Sequence, residues 1–107
     1  MSGSSRKQRI EALEGMLAAD PDDGFALYGL AMEHKADEAF EAAEPLLRRL
    51  IGLDPGHHYA YFQLGELLIA DGRSGEAEAV LQAGIARAKA QGEAKAAREL
   101  MALLDEL

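Results

Sequence analysis

Residues 21–54 read PDDGFALYGLAMEHKADEAFEAAEPLLRRLIGLD, and residues 55–88 read PGHHYAYFQLGELLIADGRSGEAEAVLQAGIARA. Laid over one another at an offset of 34 residues, the two stretches carry one pattern. The Asp20-Pro21 step falls on Asp54-Pro55, Leu30 on Leu64, and Ala36-Asp37 on Ala70-Asp71. Ala43-Glu44 falls on Ala77-Glu78 and Leu47 on Leu81, while Phe25 with Tyr59, Tyr28 with Phe62 and Ala31 with Gly65 are conservative matches. A fixed period in this range marks supersecondary units that stack on copies of themselves, because one unit alone cannot bury its apolar face.

Composition says what the units are made of. Thr, Asn, Trp and Cys are absent, and the β-branched residues reduce to Ile10, Ile51, Ile69, Val80 and Ile85. Sheets draw on those residue types, so the chain reads as all-α. Its 107 residues suit one domain with an ordinary apolar core. Without cysteine there is no disulfide framework, thiolate zinc site or cysteine nucleophile. A formal charge of −8 opposes binding to phosphate backbones and to anionic membrane surfaces, so neither nucleic acid nor membrane is an expected partner. The first residues lack the apolar segment of a signal peptide, and no run is long enough to span a bilayer, which points to the cytoplasm. Residues 1–7 read as a flexible tail ahead of a single domain over 8–107.

Apolar spacing predicts six antiparallel helices joined by short turns. The first runs from near Ser5 to Ala19 with Ile10, Leu13, Met16 and Leu17 on one stripe, and Asp20-Pro21 ends it. The second spans about Gly24 to Ala36, capped by Asp22 or Asp23, with Leu27, Leu30, Ala31 and His34 inward. The third covers about Phe40 to Leu53, with Ala43, Leu47, Leu50 and Ile51 inward and Pro45 near its first turn. The fourth, about His58 to Ala70, turns Tyr61, Leu64, Gly65 and Leu68 inward. The fifth, about Gly75 to Ala90 with Ser74 as its cap, carries Ala77, Leu81 and Ile85. The last, within about 93–106, shows Ala97, Leu100, Met101 and Leu104, with Leu107 continuing the stripe.

In this order the residues resemble the tetratricopeptide repeat: a large residue, two spacers, Leu-Gly, two spacers, an aromatic, then Ala, three spacers, an aromatic and a closing Pro. The second copy supplies Tyr61, Leu64, Gly65, Leu68, Ala77 and Leu81; the first supplies Leu27, Leu30, Ala31, His34, Ala43, Leu47 and Pro55. The resemblance implies a right-handed α-α superhelix with two full repeats, about 22–55 and 56–89, and helical caps. Lys89 stands where a closing proline belongs, and Lys95, Arg98 and Glu99 fall on the core positions of a would-be third copy, so the last helix reads as a rotated cap.

The helices that open each repeat carry a second stripe beside the core one. It comprises Phe25, Tyr28 and Met32 on the second helix, and Tyr59, Phe62 and Glu66 with Gln63 alongside on the fourth. A helix apolar on two sides is either sandwiched or offers one side to a partner. In tetratricopeptide proteins the corresponding face lines a concave groove, so the resemblance implies a non-catalytic interaction module that captures a peptide or helix there. The alternatives are that these aromatics pack on one another or on the last helix, or that the protein is a self-associating scaffold, dimerising through a terminal helix or the aromatic face. A monomer or weak homodimer is expected.

Catalysis and metal binding find little support. Ser74, the one serine outside the tail, has no histidine beside it to act as base. His57 and His58 are adjacent, so on a helix they diverge by about 100° and read as solvent-exposed. His34 reads as a packed core histidine. No cofactor and no metal site is expected.

Overall fold

The computed structural model describes residues 2–107, with side chains from Ser5 onward. Those residues form α1 (Ser2–Ala19), α2 (Gly24–Ala36), α3 (Phe40–Leu53), α4 (His58–Ala70), α5 (Ser74–Ala90) and α6 (Ala94–Leu104), with no strand among them. The bounds of α2, α3 and α4 coincide with the sequence-based ones. Differences gather at the two ends and at one cap. Helix α1 begins at Ser2, taking in residues assigned to a flexible tail, because Arg6 is tied to Glu33 and Asp37. Ser74 is the first residue of α5 rather than its cap; Arg73 holds the cap position and makes no side-chain capping bond.

The chain divides into two compact units, Met1–Leu53 and Asp54–Leu107. In the first unit α2 and α3 form a hairpin whose interior is Ala26, Leu27, Leu30, Ala31, Ala43, Leu47 and Leu50. The Asp23 carboxylate starts α2 by accepting from the Ala26 N–H at 3.1 Å, which satisfies one of the orphan donors of the first turn. Pro45 sits inside α3 on its exposed side, just beyond the first turn, where the missing donor interrupts one helical bond only. Ile51, expected inward, is half-buried. Helix α1 packs on α2.

In the second unit α4 and α5 form the equivalent hairpin, and α6 covers both. The interior comprises Ala60, Tyr61, Leu64, Leu67, Leu68, Ala77, Leu81, Ile85 and Ala88, closed by Ala97, Leu100 and Leu103 of α6. Tyr61 buries its ring and donates its hydroxyl proton to the Pro55 carbonyl at 2.8 Å, so the phenol enters the core without an unsatisfied group. Close approach requires a bare backbone at Gly65, where a Cβ would lie 2.6 Å from Leu81 Cδ2. The buried face of α6 differs from the expected one: Leu103 is inside, while Met101 and Leu107 are exposed.

Three helices stop in the same way. After α2, Glu38 adopts φ 57°, and after α4 and α5, Gly72 and Gly92 adopt 75° and 72°. Each left-handed residue bends the chain so that the next N–H reaches back into the helix: Ala39 to the His34 carbonyl, Arg73 to Leu68 and Glu93 to Ala88. These are the bonds of a Schellman stop.

Candidate functional site

On α2 the residues at i, i+3 and i+7 from Phe25 lie beside the core stripe, as the spacing requires. Phe25 is 75 % exposed, and Tyr28 and Met32 are half-buried. They form one wall of a groove of about 490 Å³ whose other wall is α1, through Arg9, Ala12, Leu13 and Met16. Gly29 lies in the groove and sets its depth. A Cβ there would stand 3.1 Å from Leu13 Cδ2, so the absent side chain lets α1 approach.

One edge of the groove is ionic. Arg9 Nε donates to Glu33 Oε1 at 3.2 Å, and Arg6 Nε to Glu33 Oε2 at 2.7 Å. Arg6 also donates to the Asp37 carboxylate and to the Glu33 carbonyl. The hydrogen bond from Arg6, with that from Arg9 second, holds the Glu33 carboxyl below its usual range. Asp37, then Glu33, raises the Arg6 guanidinium in turn. The cations at this edge are therefore already engaged by carboxylates of the same unit, and what the groove offers a ligand is mainly apolar surface.

The second unit carries the matching face on α4. Tyr59 is 52 % exposed, and Phe62, Gln63 and Glu66 are half-buried. Sequence spacing located the α2 and α4 faces but missed the α1 wall. The signal was present in Leu13 and Met16 on one stripe of the first helix, with Gly29 as a gap opposite.

One histidine caps a helix. His57 is half-buried, not solvent-exposed: its Nδ1 accepts the Ala60 N–H at 3.2 Å and caps α4. His34 and His58 are half-buried. Among the described residues no three His, Cys, Asp or Glu side chains gather to hold a metal ion. No helix among them is long and apolar enough to cross a membrane.

The family pattern of the tetratricopeptide repeat matches residues 35–104. The chain belongs to that family. Tetratricopeptide repeats act in general as protein–protein interaction modules, and the family is generally non-catalytic. The solution structure of protein BPP2914 from Bordetella parapertussis is 31 % identical, with a TM-score of 0.78 over 91 % of this chain and 84 % of that one. MamA MSR-1 C2 has the same tetratricopeptide fold at 18 % identity, with a TM-score of 0.67 over 98 % of this chain and 71 % of that one. No curated protein matches. Together these comparisons establish an all-α helical-repeat fold.

Proposed function

We propose that the chain is a non-catalytic adaptor of the cytoplasm that captures an apolar peptide or helix of a partner protein. The observation that carries this reading is Phe25, three-quarters exposed at the mouth of a groove lined by Leu13, Met16, Tyr28 and Met32. An aromatic ring held in water at the edge of an apolar groove is costly for a monomer and useful as an anchor. The methionines supply side chains that remould to different ligands. On α4, Tyr59, Phe62, Gln63 and Glu66 make up a second face for the same kind of ligand, with Gln63 and Glu66 supplying its polar contacts.

Selection of a displayed peptide library on the immobilised protein tests this directly. Peptides enriched on the wild type are expected to lose at least about tenfold in affinity for Phe25→Glu, while the far-ultraviolet spectrum stays helical. Leu64→Glu serves as the contrast, because a charge at a residue only 1 % exposed unfolds the unit. Enriched peptides that bind Phe25→Glu as well as wild type would remove the groove from consideration.

Self-association is the second reading, favoured by the exposure of Phe25 on α2 and of Met101 and Leu107 at the end of the chain. Light scattering across a hundredfold range of concentration decides it. A mass that stays at one chain throughout eliminates the homodimer.

A further inference from the structure

Helix α1 is held differently from every other helix of the structure. From Ser5 to Ala19 none of its side chains is buried; Ile10, Leu13, Met16 and Leu17 reach only half-burial. Each of the other five helices anchors at least three buried residues. Its intrinsic helicity is weak as well. Gly15 lies in its interior with nothing within 4 Å of where a Cβ would stand, so it lowers helix propensity without serving a contact. The charges oppose the macrodipole: no acidic residue lies in the first turn and no basic one in the last, while Arg6, Lys7 and Arg9 precede Glu11 and Glu14. A helix of this length and composition is marginal by itself in water. What fixes it to α2 is the contact of Leu13 over Gly29 and the ionic cluster of Arg6 and Arg9 with Glu33 and Asp37.

From this combination we propose that α1 is an ion-latched strap: it docks on and releases from α2 as a unit while the α2–α3 hairpin stays folded, and the Arg6/Arg9–Glu33/Asp37 cluster sets the balance. Local opening is expected where buried apolar contacts are few and the remaining ties face solvent. Release removes the α1 wall of the groove and uncovers the side of α2 that carries Tyr28 and Met32. A ligand that needs both walls would favour the docked state, and one that fits α2 alone would compete with α1. That consequence for capture rests on the groove reading above; the strap itself does not.

Hydrogen exchange of the full chain, without any partner, tests the proposal. In low salt the amides of residues 8–19 are expected to exchange faster than those of α2 and α3. Arg6→Ala, and separately 1 M sodium chloride, should quicken them several-fold further and leave α2 and α3 unchanged. Gly15→Ala should slow them, since it strengthens the helix without touching α2. Arg48→Ala, which breaks the Arg48–Glu44 pair on α3, should leave them unmoved. Exchange of α1 in step with α2 and α3, or an α1 rate indifferent to both Arg6→Ala and Gly15→Ala, would overturn the strap. Because no ligand enters the experiment, either result leaves the peptide-selection test to judge the groove independently.

Discussion

Tyr61 and Gly84 share one volume: a Cβ on Gly84 would lie 2.8 Å from the Cβ of Tyr61 and 2.9 Å from its Cγ. Shifted by 34 residues, the same two positions are Leu27 and Leu50, both buried. One copy of the repeat therefore fills these positions with two branched aliphatics, and the other with one large ring and no side chain at all.

That complementarity predicts a coupling. Gly84→Leu alone should destabilise the protein by about 3 kcal/mol or more, and Gly84→Ala by about 1–3 kcal/mol, because the Tyr61 ring has no room to withdraw. Adding Tyr61→Leu to Gly84→Leu should recover part of the loss and give a favourable interaction energy of about 1 kcal/mol in a double-mutant cycle. Urea denaturation of the four proteins measures it. Strict additivity would show that the two positions do not share space.

Glu38 supplies a second case in which the copies differ. It occupies the left-handed position of the α2 stop that Gly72 fills after α4, and a side chain is strained there. Glu38→Gly is therefore expected to raise stability by about 0.5–1 kcal/mol even though glycine is more flexible in the unfolded chain. Gly72→Glu should lower it by a comparable amount. Thermal melts of the two variants, run side by side, should move in opposite directions.

The His57 cap gives a third expectation. Removing the acceptor with His57→Ala should cost about 1 kcal/mol, as for other lost caps, whereas His57→Asp restores a side-chain acceptor for the Ala60 N–H and should retain most of the stability. Equal melting temperatures for His57→Ala and wild type would mean that the bond contributes nothing net.

Acid should act on the α1–α2 ties. The Glu33 carboxyl titrates lower in the folded chain than its ordinary value of 4.5, because Arg6 and then Arg9 hydrogen-bond to the charged form. With a depressed folded value, the unfolded chain takes up the proton first as pH falls, so the stabilisation is complete above about pH 4.5 and is lost below it. Asp37, the other carboxylate on Arg6, faces the same cluster. Wild type minus Glu33→Gln, compared by urea denaturation from pH 3 to pH 6, should show an advantage that shrinks toward the acid end. An advantage growing toward pH 3 would contradict the arrangement.

The internal helices were legible because the sequence states them twice. Leu30 and Leu64, or Leu47 and Leu81, occupy matching positions in two copies, and Asp-Pro steps punctuate both, so α2, α3 and α4 could be bounded to the residue. The ends have no second copy to compare with. The start of α1 depends on ion pairs of Arg6 with residues 27 and 31 positions away, and the buried face of α6 on how Leu100 and Leu103 meet α4 and α5. Spacing put Phe25, Tyr28 and Met32 on one side of α2, but a groove needs a second wall, and Leu13 opposite Gly29 is a relation between helices that periodicity along one helix does not encode. The same holds for Gly84, whose role is visible only beside Tyr61.

The burial of Tyr61 also makes the protein its own spectroscopic probe. The chain has no tryptophan, and its three tyrosines divide unevenly: Tyr28 lies in the first unit, Tyr59 and Tyr61 in the second. Of the second pair, Tyr61 is enclosed with its phenol bound to Pro55, while about half of Tyr59 is open to water. Near-ultraviolet dichroism of the native second unit should therefore come chiefly from Tyr61. Tyr28→Phe would remove the tyrosine signal of the first unit and Tyr61→Phe most of that of the second, so that melting of one unit can be followed without a label.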